Sequence, residues 1–251
     1  MSSSPVLPSD FSRCFEDAAS RLGRALRKLE WPSGSKDAPC HEVNAIFSFA
    51  HCLGKLERDF QLYAEGMIGD RGRIDLIGCN GEIAFALEAK GWGAINKQSL
   101  SVTLDLERVR GFRPIPSELA NDASAVDWWR EAKQRFGILM ITSFRGWNVA
   151  DAWQLDSDDD VIARMSAYKP SDRALDTNGE PAPFLTLHKR LRFLEAERGA
   201  SPITDGSRWK DCDEGWLLWA AFPLECTPGN LIEVLEPSPP AQSRTRIVHQ
   251  Q

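Results

Sequence analysis

The chain has no cationic excess: 30 Lys and Arg stand against 36 Asp and Glu in 251 residues, a formal charge of −6. That balance excludes a protein that coats nucleic acid nonspecifically, because such binding relies on a broad basic surface. A local basic cleft stays open. Long apolar runs are missing too. The longest, residues 216–224, is far too short to span a bilayer, and residues 1–8 carry neither a basic start nor an apolar run. No secretory signal is visible, no membrane partner is expected, and the expected location is cytoplasmic. Cysteine is sparse, with Cys14, Cys40, Cys52, Cys79, Cys212 and Cys226 showing no close pairing of the zinc-site kind, so free thiols are expected. Cys40-His41 and His51-Cys52 form a palindrome, but on a helix their ten-residue separation leaves the two histidines about 80° out of line. No internal repeat is present. Tryptophan is the abundant oddity: there are nine, and Trp128, Trp129, Trp216 and Trp219 fall in expected elements, which reads as core rather than as base stacking.

The informative stretch is residues 72–92. Two segments, 72–78 and 86–92, flank Asn80-Gly81, the strongest short-range hairpin signal. With Asn80-Gly81 as a two-residue loop, Cys79 faces Glu82, Asp75 faces Ala86, Arg73 faces Glu88 and Arg71 faces Lys90. Opposed residues share a sheet face, so Asp75 and Glu88 become diagonal neighbours at about 7–8 Å, with Lys90 two residues beyond. Ile77, Ala84 and Ala86 share that face, while Ile74, Leu76, Ile83, Phe85 and Leu87 occupy the other. Both faces are thus mostly apolar, as in a central strand pair of an α/β sheet. Carboxylates in such a place are costly to desolvate and need a cation or donors to stay charged. Under the same register, an Arg73–Glu88 ion pair and a Lys90 reaching water form the purely structural alternative.

Around the hairpin, Phe11, Phe15, Ala18, Leu22, Leu26 and Leu29 keep helical spacing from a cap at Ser9 or Asp10, and Trp31-Pro32 ends the pattern. A second helix is expected over 38–53, with Glu42 at the border of its apolar stripe, and a first strand within 58–68. Residues 96–112 fit both periods, with helix preferred. A helix over 118–136 stopped by Gly137 and a buried strand over 138–144 follow. Further on come an acidic loop at 156–160, a short basic helix at 187–196, a last strand at 215–224 and a frayed tail at 236–251. The implied organisation is an N-terminal helix and linker (1–36), a core (37–150), an extension packed on it (151–235) and the tail.

The order of a helix with Glu42, a strand, a strand with Asp75, a strand with Glu88-Ala89-Lys90, a helix and a buried strand resembles the PD-(D/E)XK nuclease superfamily. Asp75, twelve intervening residues and Glu88-Ala89-Lys90 match its signature, although Ile74 stands where the signature has proline. The resemblance covers about residues 38–147 and implies a restriction-endonuclease-like fold: α/β, with a mixed central sheet of about four to five strands flanked by helices. It further implies a Mg²⁺- or Mn²⁺-dependent nuclease acting on DNA, with RNA open, in defence or repair.

Phosphodiester hydrolysis needs a water made nucleophilic near neutral pH and a counter-charge for the oxyanion at phosphorus, and a hard divalent ion can supply both. Asp75 and Glu88 are the expected ligands, and the Ala89 carbonyl is a third oxygen by the resemblance. Lys90 would orient the water or steady the transition state, and Glu42 would hold a water or second ion from the helix. Arg108, Arg110, Arg113, Lys133 and Arg135 are the candidate phosphate contacts. Many superfamily members dimerise to cut both strands, so a homodimer is an open assembly, although no isologous interface is marked. The competing function is an inactive nuclease-like scaffold that binds nucleic acid or a protein partner. A toxin countered by an immunity protein is a third option, without a direct sign in the chain.

Overall fold

The computed structural model describes residues 7–28, 42–56, 59–67, 73–92, 95–112, 129, 131–143, 147–166, 173–203 and 215–224. Among the described residues the elements are α1 (Ser9–Lys28), α2 (Glu42–Leu53), β1 (Gln61–Met67), β2 (Arg73–Cys79), β3 (Ile83–Trp92), α3 (Ile95–Arg110), β4 (Gln134–Ser143), α4 (Trp147–Gln154), α5 (Asp158–Met165), α6 (Pro183–Phe193), β5 (Glu197–Ile203) and β6 (Gly215–Pro223). The protein is α/β, and its sheet has six strands in the order β1-β2-β3-β4-β6-β5 rather than four to five. Only β3 and β4 run parallel; every other neighbouring pair is antiparallel. No helix among the described residues is long and apolar enough to cross a membrane.

Strand alternation divides the interior into two cores. Leu76, Phe85, Leu87, Ile138, Met140, Leu217 and Trp219 meet α1 and α2 on one side. Ile77, Ala86, Leu139, Ile141, Leu218 and Phe222 meet the helices α3 to α6 on the other. This two-sided burial is why β4 and β6 read as continuous apolar runs. On the first face Phe15 stacks between Phe49 and Trp219, each at 4.6 Å between ring centroids. Such fully buried aromatic side chains each contribute about 1.5–3 kcal/mol through removal from water. Trp129, Trp153 and Trp219 are buried, in keeping with tryptophan as core; Trp128 lies outside the described residues.

Several expectations need correction. Gly137 does not end a helix: strand β4 already begins at Gln134, and Gly137 lies inside it beneath Phe222 and Val109. Close approach of those two side chains, not helix termination, requires the glycine. The rest of the expected helix at 118–136 lies outside the described residues apart from Trp129 and residues 131–133. The acidic run at 156–160 is not a loop throughout. Ser157 caps α5 by accepting the Asp160 N–H, and Asp158, Asp159 and Asp160 fill the first turn, where carboxylates are favoured by the helix dipole. Neither α4 nor β5 was anticipated. The basic helix runs over Pro183–Phe193, and its charges face acids: Lys189 and Arg192 meet Asp158, while Arg190 meets Glu107 of α3 at 2.5 Å. The tail at 236–251 and Cys40, His41, Cys212 and Cys226 lie outside the described residues; Cys14, Cys52 and Cys79 are buried free thiols.

Candidate active site

The hairpin turns one residue later than Asn80-Gly81 as a loop would have it. Asn80 N–H donates to the Ile83 carbonyl at 3.1 Å, which leaves Gly81 and Glu82 as the central pair, and Gly81 adopts φ +82°. Primed hairpin turns demand that left-handed backbone at their first central position, and glycine meets it without a Cβ clash. The Asn80 side chain is spent inside the turn, where its Oδ1 accepts the N–H groups of Glu82 and Ile83. The register therefore slips by two: Ile77, not Asp75, faces Ala86, and Leu76 faces Leu87. The slip is even, so every side chain keeps its face. Continued by one position, this register sets Asp75 across from Glu88 directly rather than diagonally, and the expected Arg73–Glu88 pairing falls.

Backbone pairing between β2 and β3 runs from Cys79–Ala84 to Leu76–Leu87. Beyond it a side chain takes over: Asp75 Oδ2 accepts the Ala89 N–H at 2.8 Å. In an extended strand the N–H and C=O of one residue lie along the same edge. The Ala89 carbonyl thus also lies on the β2 edge, past the last ladder pair. Asp75, Glu88 and the Ala89 backbone converge where the two strands part.

Two helices complete the cluster. Glu42, in the first turn of α2, accepts the Gly91 N–H at 3.2 Å and stands 3.9 Å from Lys90 Nζ. From α3 comes Asp105, which the sequence reading missed. Its Oδ2 lies 3.5 Å from Lys90 Nζ, and its Oδ1 pairs with Arg108, whose Nη2 also lies 3.3 Å from Glu88 Oε1. The available signal was an acid in the apolar stripe of Val102, Leu106 and Val109, where an unpaired carboxylate would be costly.

The electrostatics follow from burial. Glu88 is 2% exposed, and burial, reinforced by the neighbouring Asp75 charge, pushes its carboxyl up to about 9. Burial likewise raises Asp105. For Lys90, burial alone would lower the ammonium, but Asp105, Glu42, Asp75 and Glu88 together outweigh it and the net direction is upward. Lys90 is therefore a firmly protonated cation among acids.

Two oxygens of this donor set are left open to a cation. Glu88 Oε1 and Asp105 Oδ2 are buried without hydrogen-bond partners, and a cation would relieve the charge that burial disfavours. Among the described residues no group of three or more His, Cys, Asp or Glu side chains is arranged to hold a metal. Mg²⁺ characteristically takes one or two carboxylates and completes its shell with water and substrate phosphate.

The other basic candidates do not join the cluster. Arg110 pairs with Glu107, Lys133 pairs with Glu82, and Arg135 is buried, donating to the Trp129 carbonyl; Arg113 lies outside the described residues. No family model, curated protein or solved structure matches the chain at a significant level.

Proposed function

We propose that the protein is a Mg²⁺- or Mn²⁺-dependent nuclease of the PD-(D/E)XK type that hydrolyses phosphodiester bonds in DNA. The observation that carries this reading is the convergence of Asp75 and Glu88, across from one another on parting strands, with Lys90 beside them. When bound, the divalent ion would supply a hard positive charge that acidifies water and offsets charge developing at phosphorus. Asp75, Glu88 and the Ala89 carbonyl are the oxygens to hold it. Lys90 retains its proton at neutral pH and so acts as a donor, orienting the attacking water or steadying the phosphate oxygens, rather than as a base. Glu42 and Asp105 hold the ammonium in place, and Glu42 also anchors the end of β3 through Gly91. The preference for DNA, a role in defence or repair and a homodimeric assembly rest on the superfamily resemblance.

The test is cleavage with Mg²⁺ or Mn²⁺ on single-stranded, double-stranded, branched and modified DNA and on RNA. Asp75→Ala, Glu88→Ala and Lys90→Ala should each abolish cleavage while circular dichroism shows a folded chain. Absence of cleavage on every substrate sinks the proposal.

One observation favours the scaffold reading: Arg108 already occupies the space against Glu88 and Asp105 from within the chain. Calorimetric titration with Mg²⁺ and Mn²⁺ separates the two, since a non-cutting scaffold has no need to bind either ion.

A further inference from the structure

Arg108 occupies a place that the phosphate-contact role expected from its sequence does not explain. Its guanidinium does not extend from α3 into solvent. It turns inward, pairing with Asp105 Oδ1 and standing 3.3 Å from Glu88 Oε1. Those two acidic side chains are among the most buried of the described residues, at 2% and 6% side-chain exposure, while Arg108 remains 32% exposed.

The fit is incomplete on both sides. Arg108 Nε is buried and unbonded, and Glu88 Oε1, although close to the cation, makes no hydrogen bond. The strongest guanidinium–carboxylate pairs form two parallel N–H···O bonds. Arg108 makes no such fork with Glu88. It is hydrogen-bonded to Asp105 but only touches Glu88, and that second contact, made without a hydrogen bond, is the one open to exchange.

We propose that Arg108 is a displaceable counter-ion: its guanidinium and a divalent cation compete for the Glu88 carboxylate, and entry of the cation turns Arg108 outward. The inference rests on the cation centre proposed above. Once displaced, the guanidinium stands at the mouth of the site with its donor fork available to a phosphodiester, so cation entry and capture of the substrate backbone become one coupled event. An arginine fixed only as a structural ion pair would gain nothing from the cation and would stay inside.

Two measurements on the full chain, without nucleic acid, test this. Calorimetric titration of the metal-free protein with Mn²⁺ should give about tenfold tighter binding for Arg108→Gln than for the wild type, because the competing charge is gone, with Arg108→Lys close to wild type. In the wild type, Mn²⁺ should increase phenylglyoxal labelling of Arg108, read by peptide mass spectrometry, and EDTA should reverse the increase. Unchanged or weaker Mn²⁺ binding by Arg108→Gln, or protection of Arg108 by Mn²⁺, overturns the counter-ion role and leaves the cation centre standing. Failure of wild type and variants alike to bind Mn²⁺ removes both. The labelling arm uses the native chain, so it decides the matter even if Arg108→Gln does not fold.

Discussion

Asp75 Oδ2 accepts the Ala89 N–H at 2.8 Å, at the point where backbone pairing between β2 and β3 has ended. The carboxylate therefore closes the hairpin as well as facing the site. A hydrogen bond from a buried backbone donor to a charged acceptor is worth about 2 kcal/mol, and removing the acceptor leaves that donor unsatisfied. Asp75→Ala should lower stability by about that amount in urea unfolding, whereas Asp75→Asn, which keeps a carbonyl acceptor, should cost less than half as much. Both variants should lose cation binding, so the pair separates the structural role of Asp75 from the ligand role proposed for it.

Glu88 gives a pH signature of opposite sense to an ordinary carboxylate. Its folded pKa, raised to about 9 by burial and by Asp75, means that the native state holds a proton which the unfolded state releases above pH 4.5. The native state then binds more protons, so this group's contribution is fully present at low pH and is lost as the pH rises towards 9. In EDTA, Glu88→Gln should match wild type near pH 4.5 and exceed it at pH 8 by about 2 kcal/mol, a rise in melting temperature of about 4–8 °C. Equal melting curves at pH 8 would contradict the assignment.

His188 behaves in the reverse way. Its ring is fully buried, and its Nε2 lies 2.5 Å from Arg198 Nη1; a guanidinium only donates, so the ring accepts and is neutral. Burial, then the charges of Arg198 on β5 and Arg192 on α6, lower its pKa to about 4 against the pull of Asp158 on α5. The unfolded chain protonates first as pH falls below 6.5. Stability held above that value should therefore drain away between pH 6.5 and 4, by about 3 kcal/mol. Urea midpoints across that range should fall steeply for wild type and flatten for His188→Gln.

Gly137 admits no side chain. A Cβ there would lie 2.4 Å from the Phe222 ring and 2.7 Å from Val109. Gly137→Ala should destabilise by about 1–3 kcal/mol through forced displacement of both, visible as a lower urea midpoint with an unchanged slope.

What the sequence disclosed and what it withheld divide along physical lines. Side-chain parity made the shared face of Asp75 and Glu88 legible, and parity survives an even register slip, so the acids stayed together although the turn moved. The turn itself was misplaced because Asn80 can serve a hairpin either as a loop residue or, as here, through side-chain acceptance from Glu82 and Ile83. Gly137 was misread because glycine permits both helix ends and close packing, and only the neighbour Phe222, far along the chain, distinguishes them. Asp105 escaped notice for a related reason. On its own helix it is an anomaly in an apolar stripe, and only Lys90, brought over by β3, gives it a purpose.

Strand β6 comes from residues near the end of the described chain yet lies between β4 and β5. Ribosomal synthesis thus delivers this interior strand only after the acidic hairpin, both its flanking helices and the edge strand β5 have emerged. A nascent chain stalled or clipped ahead of Gly215 keeps the outer edge of β4 bare, with a row of unpaired backbone groups beside an apolar surface, a ready template for pairing with other copies. Premature termination of this protein should yield clumped material rather than a weakened but folded chain.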